Sequence, residues 1–288
     1  MDERTARREI VRVGQLMYER SYVVSSDGNV SVRLDDGRIL ATPTQTNKGR
    51  MTEDSLALTD IEGKPLNERK ASSELAMHLL IYRERPEINA VCHAHPPHGS
   101  AFAVAGLAID QPILSEVILT LGCVPLAEYG TPSTDELTAA MLPLVKHHNA
   151  LLMANHGAVA YGEDVWQAFD RLETLEHTAK IAILARALGG ASNLSPDAIE
   201  KLIHVREKAG YLDERARCQS CGYLDETQIT EAWVVVKPTE DGDVTALEAY
   251  DADGVQIVQL FGTRKPGIPE LETWREIVAG LPRAGVAA

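Results

Sequence analysis

No run of about 18 apolar residues, the length that crosses a bilayer as a helix, interrupts this chain of 288 residues. The start, Met1-Asp2-Glu3-Arg4, is polar, and no basic stretch leads into an apolar one, so no secretory signal is expected. Cysteine is scarce: four residues are too few for a disulfide framework, and the chain reads as reduced and cytoplasmic. Positive charge is also short. The formal net charge of −14 argues against nucleic acid or an anionic membrane as the main partner. It leaves room for a small anionic substrate, because a local pocket can be positive within an acidic protein. No G-x-G-x-x-G, P-loop or G-x-S-x-G frame is present to compete for the interpretation.

What is there is an ordinary globular composition, 44% apolar, with enough length for one large domain and an appendage. Residues 1–210 read as the main domain and 211–288 as the appendage. Glu3 to Arg20 has helical spacing at Ile10, Val13, Leu16 and Met17. Val30 to Leu34 alternates as a strand, Asp35-Asp36-Gly37 marks a hairpin into Arg38 to Ala41, and Ser55 to Thr59 reads as a third strand. Helices are expected from Ser72 to Arg83 with the serines as N-cap, over Gly99 to Ala105, Thr134 to His147 and Asp164 to Leu188, and from Pro196 to Ala209. In the appendage, Trp233 to Val236, Val244 to Tyr250 and Val255 to Phe261 read as strands, and Glu270 to Ala279 as a closing helix.

The chemistry concentrates in a few short stretches. In Val91-Cys92-His93-Ala94-His95-Pro96, two histidines stand at i and i+2 near a strand end, on the same face of the pleat. That spacing suits two imidazoles sharing one divalent ion, and equally two loop histidines. His156, in Asn155-His156-Gly157 after the buried run Ala150 to Ala154, offers a third nitrogen, with Gly157 permitting the turn. Three nitrogens with one position left open form a catalytic type of metal site. Ser25 to Asn29 and Thr42 to Arg50 are polar turns able to form an anion nest, the second carrying Lys48 and Arg50. Glu74 falls in a first helical turn, where a carboxylate suits the dipole, and His78 lies four residues on, as a ligand or as a buried helix histidine. Glu116 sits in the apolar segment Ile113 to Leu121, where a carboxylate is costly unless used. His98 reads as a solvent residue or a supporting one. Cys218-x-x-Cys221 is a lone pair, half of what a zinc ribbon needs.

Taken in order, Gly28-Asn29-Val30-Ser31-Val32-Arg33, Thr42-Pro43-Thr44, Ser72-Ser73-Glu74, His93-Ala94-His95-Pro96 and Asn155-His156-Gly157 resemble the class II aldolase/adducin family over about residues 5–190. The resemblance implies a three-layer α/β/α fold with a mainly antiparallel central sheet, assembled as a homotetramer with active sites at subunit interfaces. It implies Zn2+, or another divalent ion such as Mn2+, Co2+ or Fe2+, held by His93, His95 and His156. Glu74 matches the acid/base that also ligates the resting metal, and Ser26, Asn29, Thr44, Ser72 and Ser73 match phosphate-contacting positions. The expected activity is cleavage of a ketose 1-phosphate to dihydroxyacetone phosphate and an aldehyde through a metal-stabilised enediolate. A 4-epimerase, dehydratase or decarboxylase on the same scaffold, or a metal-free adducin-like module, is the alternative. Gln45 stands where many members have glycine. No tyrosine occurs near Leu114 to Glu116, where the sugar-phosphate aldolases often carry one, so Glu116 is the candidate replacement. Glu74 rather than an aspartate favours aldol cleavage over epimerisation. The tail from about residue 229 to 282 is similar to the closing segment of HemS-type haem-utilisation proteins, through Trp233-Val234-Val235-Val236-Lys237-Pro238-Thr239 and Gly262-Thr263-Arg264-Lys265-Pro266-Gly267. It has no histidine to serve as an axial ligand.

Overall fold

The computed structural model describes residues 1–209, 229–239, 242–252, 254, 256–261 and 272–281. The chain forms two units, Met1–Cys221 and Gly222–Ala288. Cys218 and Cys221 lie outside the described residues. Among these residues no helix is long and apolar enough to cross a membrane.

The first unit is built on seven strands: β1 (Asn29–Arg33), β2 (Ile39–Ala41), β3 (Ala57–Thr59), β4 (Ala90–Ala94), β5 (Leu126–Ala127), β6 (Ala150–Met153) and β7 (Gly157–Gly162). They lie in the order β3-β2-β1-β4-β7-β6-β5, every pair antiparallel except β5 with β6. Helices cover both faces, giving three layers. On one face α1 (Glu3–Glu19), α3 (Pro97–Val104) and α6 (Val165–Ala187) meet Val30, Val32, Ala90, Cys92 and Ala94. On the other, α2 (Leu75–Glu84) and α5 (Asp135–Val145) meet Val91, Leu151, Val159 and Tyr161. Alternation along each strand thus assigns each residue to a layer, and both sets are apolar because neither face meets water. The short helix α4 (Ser115–Thr120) packs with α7 (Pro196–Lys208) through Ile118, Cys123 and Ile199.

Local chemistry explains where the elements begin. Asp2 caps α1 by accepting from the Thr5 amide at 3.1 Å, and Asp164 caps α6 by accepting from Gln167 at 2.8 Å. The third strand is shorter than its sequence pattern. The Ser55 hydroxyl ties back to Thr52, closing a 3-10 turn over Glu53–Ser55 and leaving only Ala57–Thr59 to pair. Cys92 is a buried free thiol.

The second unit contains β8 (Glu231–Thr239), β9 (Gly242–Tyr250) and β10 (Gln256–Phe261) in an antiparallel sheet of order β10-β9-β8, with α8 (Glu272–Ala279). The Trp274 indole donates to the Thr245 carbonyl at 2.9 Å, tying the helix to the central strand.

Candidate functional site

The site grows from the strand register. Antiparallel pairing sets Asn29 of β1 directly beside His93 of β4, and Val159 of β7 on the other side of His93. With Val91 facing α2 and α5, His93 faces them too, and Asn29 and Ser31 share that face. Beyond the end of β4, the His95 amide donates to the Tyr22 carbonyl at 3.0 Å. His156 sits in the turn between β6 and β7. That turn departs from the sequence expectation: the left-handed residue is Asn155, at φ 55°, a conformation asparagine tolerates. Gly157 is needed for clearance instead, since a Cβ there would lie 2.5 Å from the His95 ring and 2.6 Å from the Ala94 carbonyl oxygen.

The three imidazoles converge, with ring centroids 4.9, 4.9 and 5.1 Å apart and ligand nitrogens all within 4.8 Å of one another. The His93 Nδ1–H donates to the Ala158 carbonyl at 2.9 Å, which leaves its Nε2 lone pair for the cluster. Glu74 completes the group, one carboxylate oxygen 3.3 Å from His93 Nε2 and the other 3.1 Å from His156 Nε2. Burial alone would raise the Glu74 carboxyl, but the charges and hydrogen bonds of His93 and His156 outweigh it and hold it well below the usual carboxylate range. Burial pushes His95 down to about 4, helped by the two neighbouring imidazoles, whereas Glu74 lifts His93 against its burial.

These residues fit a divalent metal ion. The buried atoms left without a hydrogen-bond partner include His93 Nε2, His95 Nε2 and Glu74 Oε1, three atoms from the convergent cluster itself. Buried polar atoms are normally satisfied, so a set of orphans converging on one point fits a cation that would satisfy them. Sequence reasoning missed a supporting residue: Asp27 Oδ2 stands 3.5 Å from His95 Nδ1, where a carboxylate orients a ligating imidazole. Its place two residues before Asn29 in the polar turn was the available signal.

The polar stretches that lie far apart in sequence are stitched together by backbone bonds. Thr42 donates to the Val30 carbonyl and Ser72 to the Thr42 carbonyl, and Thr44 donates to the Lys70 carbonyl at 3.0 Å. Thr42 thereby lies opposite Ser72 and Thr44 opposite Lys70. The Ser72 hydroxyl accepts from the Glu74 amide at 3.3 Å, while Ser73 is exposed. The serines do not occupy the N-cap of α2, because this pairing keeps Ser72 extended; Glu74 takes the cap position without a side-chain cap bond. The Lys48 ammonium is buried and spans two turns, donating to the Ser26 carbonyl at 2.9 Å and the Thr46 carbonyl at 2.7 Å. Burial pushes its pKa down to about 8. Gln45 adopts φ 53°, the left-handed conformation glycine favours, which explains physically why glycine would suit that position.

Two sequence expectations change. Glu116 is not a buried carboxylate: it is exposed on α4 and lines a cavity of about 750 Å³ together with Tyr22, Pro97, His98 and Lys180, apart from the histidine cluster. His98 points to Glu176 rather than to the cluster. That carboxylate accepts from the His98 ring at 2.6 Å and from the backbone N–H groups of His98 and Gly99, capping α3 from a neighbouring helix where Pro96 offers no cap of its own.

The chain is 35% identical over 186 residues to a 3-oxo-tetronate 4-phosphate decarboxylase of Pectobacterium atrosepticum, covering 63% of this chain and 85% of that protein. It is 34% identical to an L-fuculose phosphate aldolase of Methanococcus vannielii, covering 60% of this chain and 93% of the relative. Among solved structures, YgbL of Klebsiella pneumoniae superposes with a TM-score of 0.66 at 31% identity, over 70% of this chain and 99% of that one. The haemin-degrading HemS.ChuX domain model matches residues 223–281. The class II aldolase and adducin N-terminal domain model matches residues 8–183, and the chain belongs to that family.

Proposed function

We propose that this protein is a divalent-metal-dependent carbon–carbon lyase acting on a phosphorylated sugar acid, releasing carbon dioxide from a 3-oxo acid phosphate. The observation that carries the reading is Glu74, a single half-buried carboxylate 3.1 and 3.3 Å from two imidazoles of the cluster. When the bond to a carboxylate breaks beside a carbonyl, carbon dioxide leaves without a proton and the electron pair passes toward the carbonyl oxygen. One proton must then return to carbon; Glu74, ionised at rest, would take it from water and deliver it, so one group suffices. The metal, held by His93, His95 and His156 and taken here as Zn2+ or a similar divalent ion, supplies Lewis-acid polarisation of that carbonyl. Ser26, Asn29, Thr44, Ser72 and Ser73 hold the phosphate, and Lys48 keeps the two turns of the cradle together. Identities of 33–35% to four 3-oxo-tetronate 4-phosphate decarboxylases support this choice of reaction.

Aldol cleavage of a ketose 1-phosphate is the second reading, favoured by the likeness to L-fuculose phosphate aldolases. It requires a further group to exchange a proton with the hydroxyl, and Glu116 reaching in from a neighbouring subunit is the candidate. In both readings the enzyme is a cytoplasmic homotetramer, and sedimentation should give the mass of four chains.

The test assays carbon dioxide release from 3-oxo-tetronate 4-phosphate and dihydroxyacetone phosphate release from a panel of ketose 1-phosphates, each with and without chelator. Chelator-sensitive release of carbon dioxide is expected; dihydroxyacetone phosphate alone would replace the first reading with the second. Glu74→Gln should keep the metal and lose turnover by about 100-fold or more. Full activity in that variant would remove Glu74 from the mechanism.

A further inference from the structure

Behind Glu74 lies a buried chain of hydrogen bonds that starts at Asn29, a residue of the phosphate cradle, and continues through side chains given no role in holding the metal or the phosphate. Asn29 Nδ2 lies 2.9 Å from Glu74 Oε2. On its other side, Asn29 Oδ1 meets His78 Nε2. His78 Nδ1 is 2.7 Å from the Ser31 hydroxyl, which is 2.7 Å from the Tyr82 hydroxyl. All four supporting side chains are buried, Asn29 at 3% exposure, Ser31 at 0%, and His78 and Tyr82 at 1% each.

The direction of every bond in this chain follows from its end. An ionised carboxylate only accepts, so Asn29 turns its NH2 toward Glu74 and its carbonyl toward His78. His78 Nε2 must therefore carry the hydrogen, and Nδ1 accepts from Ser31, whose oxygen accepts from Tyr82. Burial pushes His78 down to about 3 and Tyr82 upward, so both are neutral and the pattern does not change near neutral pH. The geometry has a simple origin: Glu74, His78 and Tyr82 recur every four residues along α2, and Asn29 and Ser31 recur every two along β1. A helix stripe and a strand ladder meet rung by rung.

We propose that His78 is a positioning residue that fixes Glu74 through the Asn29 amide, with Ser31 and Tyr82 holding the imidazole in the required tautomer. The inference rests on the role given to Glu74 above. Without the His78 N–H, the Asn29 amide keeps only its bond to Glu74, and its buried carbonyl is left without a donor. The amide would then shift to find a partner for that carbonyl, and Glu74 would lose its alignment.

Three variants test this. His78→Met removes the donor at similar volume, and kcat should fall about 10- to 100-fold with little change in KM, the size expected for a lost supporting contact. His78→Gln can present an amide N–H where Nε2 was, and should recover most of the loss. In a Glu74→Gln background, His78→Met should add no further loss. A crystal structure of metal-free His78→Met supplies a readout independent of turnover, with the Glu74 carboxylate no longer bonded to Asn29 Nδ2. Should the methionine variant fail to fold, Ser31→Ala is the gentler probe and should lower kcat in the same direction. Wild-type kcat in folded His78→Met, a full additional loss in the Glu74→Gln background, or an unmoved Asn29–Glu74 pair would each overturn the proposal. If the wild type shows no lyase activity, the functional reading fails, while the crystallographic comparison still decides whether His78 positions Glu74.

Discussion

The seven-stranded sheet and the three-stranded sheet of this chain use the same antiparallel pairing and bury their side chains very differently. In the first, helices lie on both faces, and Leu151, Val159, Ala160 and Leu172 are completely buried. In the second, Trp233, Val234, Val236 and Leu260 are 46–57% exposed, while Ala246, Glu248 and Ala249 of the central strand are the buried positions. All nine histidines fall in the first unit, the last being His204. A sheet enclosed on both faces can bury polar groups in defined positions, because packing above and below removes water as an alternative partner. The second sheet, with large apolar side chains left in solvent, holds one buried polar side chain among its described residues, Glu248, and none of the chain's histidines is spent there.

The largest test of this contrast compares matched truncations. Leu172→Ala, in the enclosed layer, should cost about 2–5 kcal/mol in urea unfolding, whereas Val236→Thr, more than half exposed, should stay within about 0.5 kcal/mol. Equal costs would mean that Val236 is covered in solution.

A second test uses acid. Burial pushes His78 down to about 3 in the folded unit, against about 6.5 for a free imidazole, so the folded unit stays neutral while the unfolded chain takes up a proton. Its depressed pKa therefore leaves stability unchanged above about pH 6.5 and lowers it as pH falls from there toward 3. For metal-free protein, the slope of unfolding free energy against pH in that window should be about 1.4 kcal/mol per unit steeper in wild type than in His78→Gln. Identical slopes would show that His78 is not buried as described. The smallest effect is local: Gln45→Gly, which relieves a left-handed glutamine, should raise stability by about 1 kcal/mol or less, and a lower Tm would refute the strain.

The layered fold and the convergence of His93, His95, His156 and Glu74 were legible in the sequence, because both rest on short periods and ordered motifs. Other features were not, because they depend on what lies opposite in space. Glu116 reads as a buried carboxylate from its apolar neighbours, yet α4 is a short helix that turns that position outward. The serines before Glu74 read as an N-cap, yet pairing with Thr42 holds Ser72 extended. Asp27 and Glu176 act through partners 68 and 78 residues away in sequence, at His95 and His98. The stripe Glu74, His78, Tyr82 facing Asn29 and Ser31 needed only the two periods to be read together.

The register of β1 against β4 has one more consequence, for folding itself. Moving β1 by one residue would turn Asn29 and Ser31 toward the layer of Ile10, Val13 and Phe169, and send Val30 and Val32 toward Glu74 and His78. Two polar side chains would then be stranded in an apolar layer, at about 1–3 kcal/mol for each unsatisfied group, and two valines would face a carboxylate and an imidazole. The residues that assemble the site thereby also reject the mis-threaded sheet, so a chain that has folded has already checked the alignment its chemistry needs.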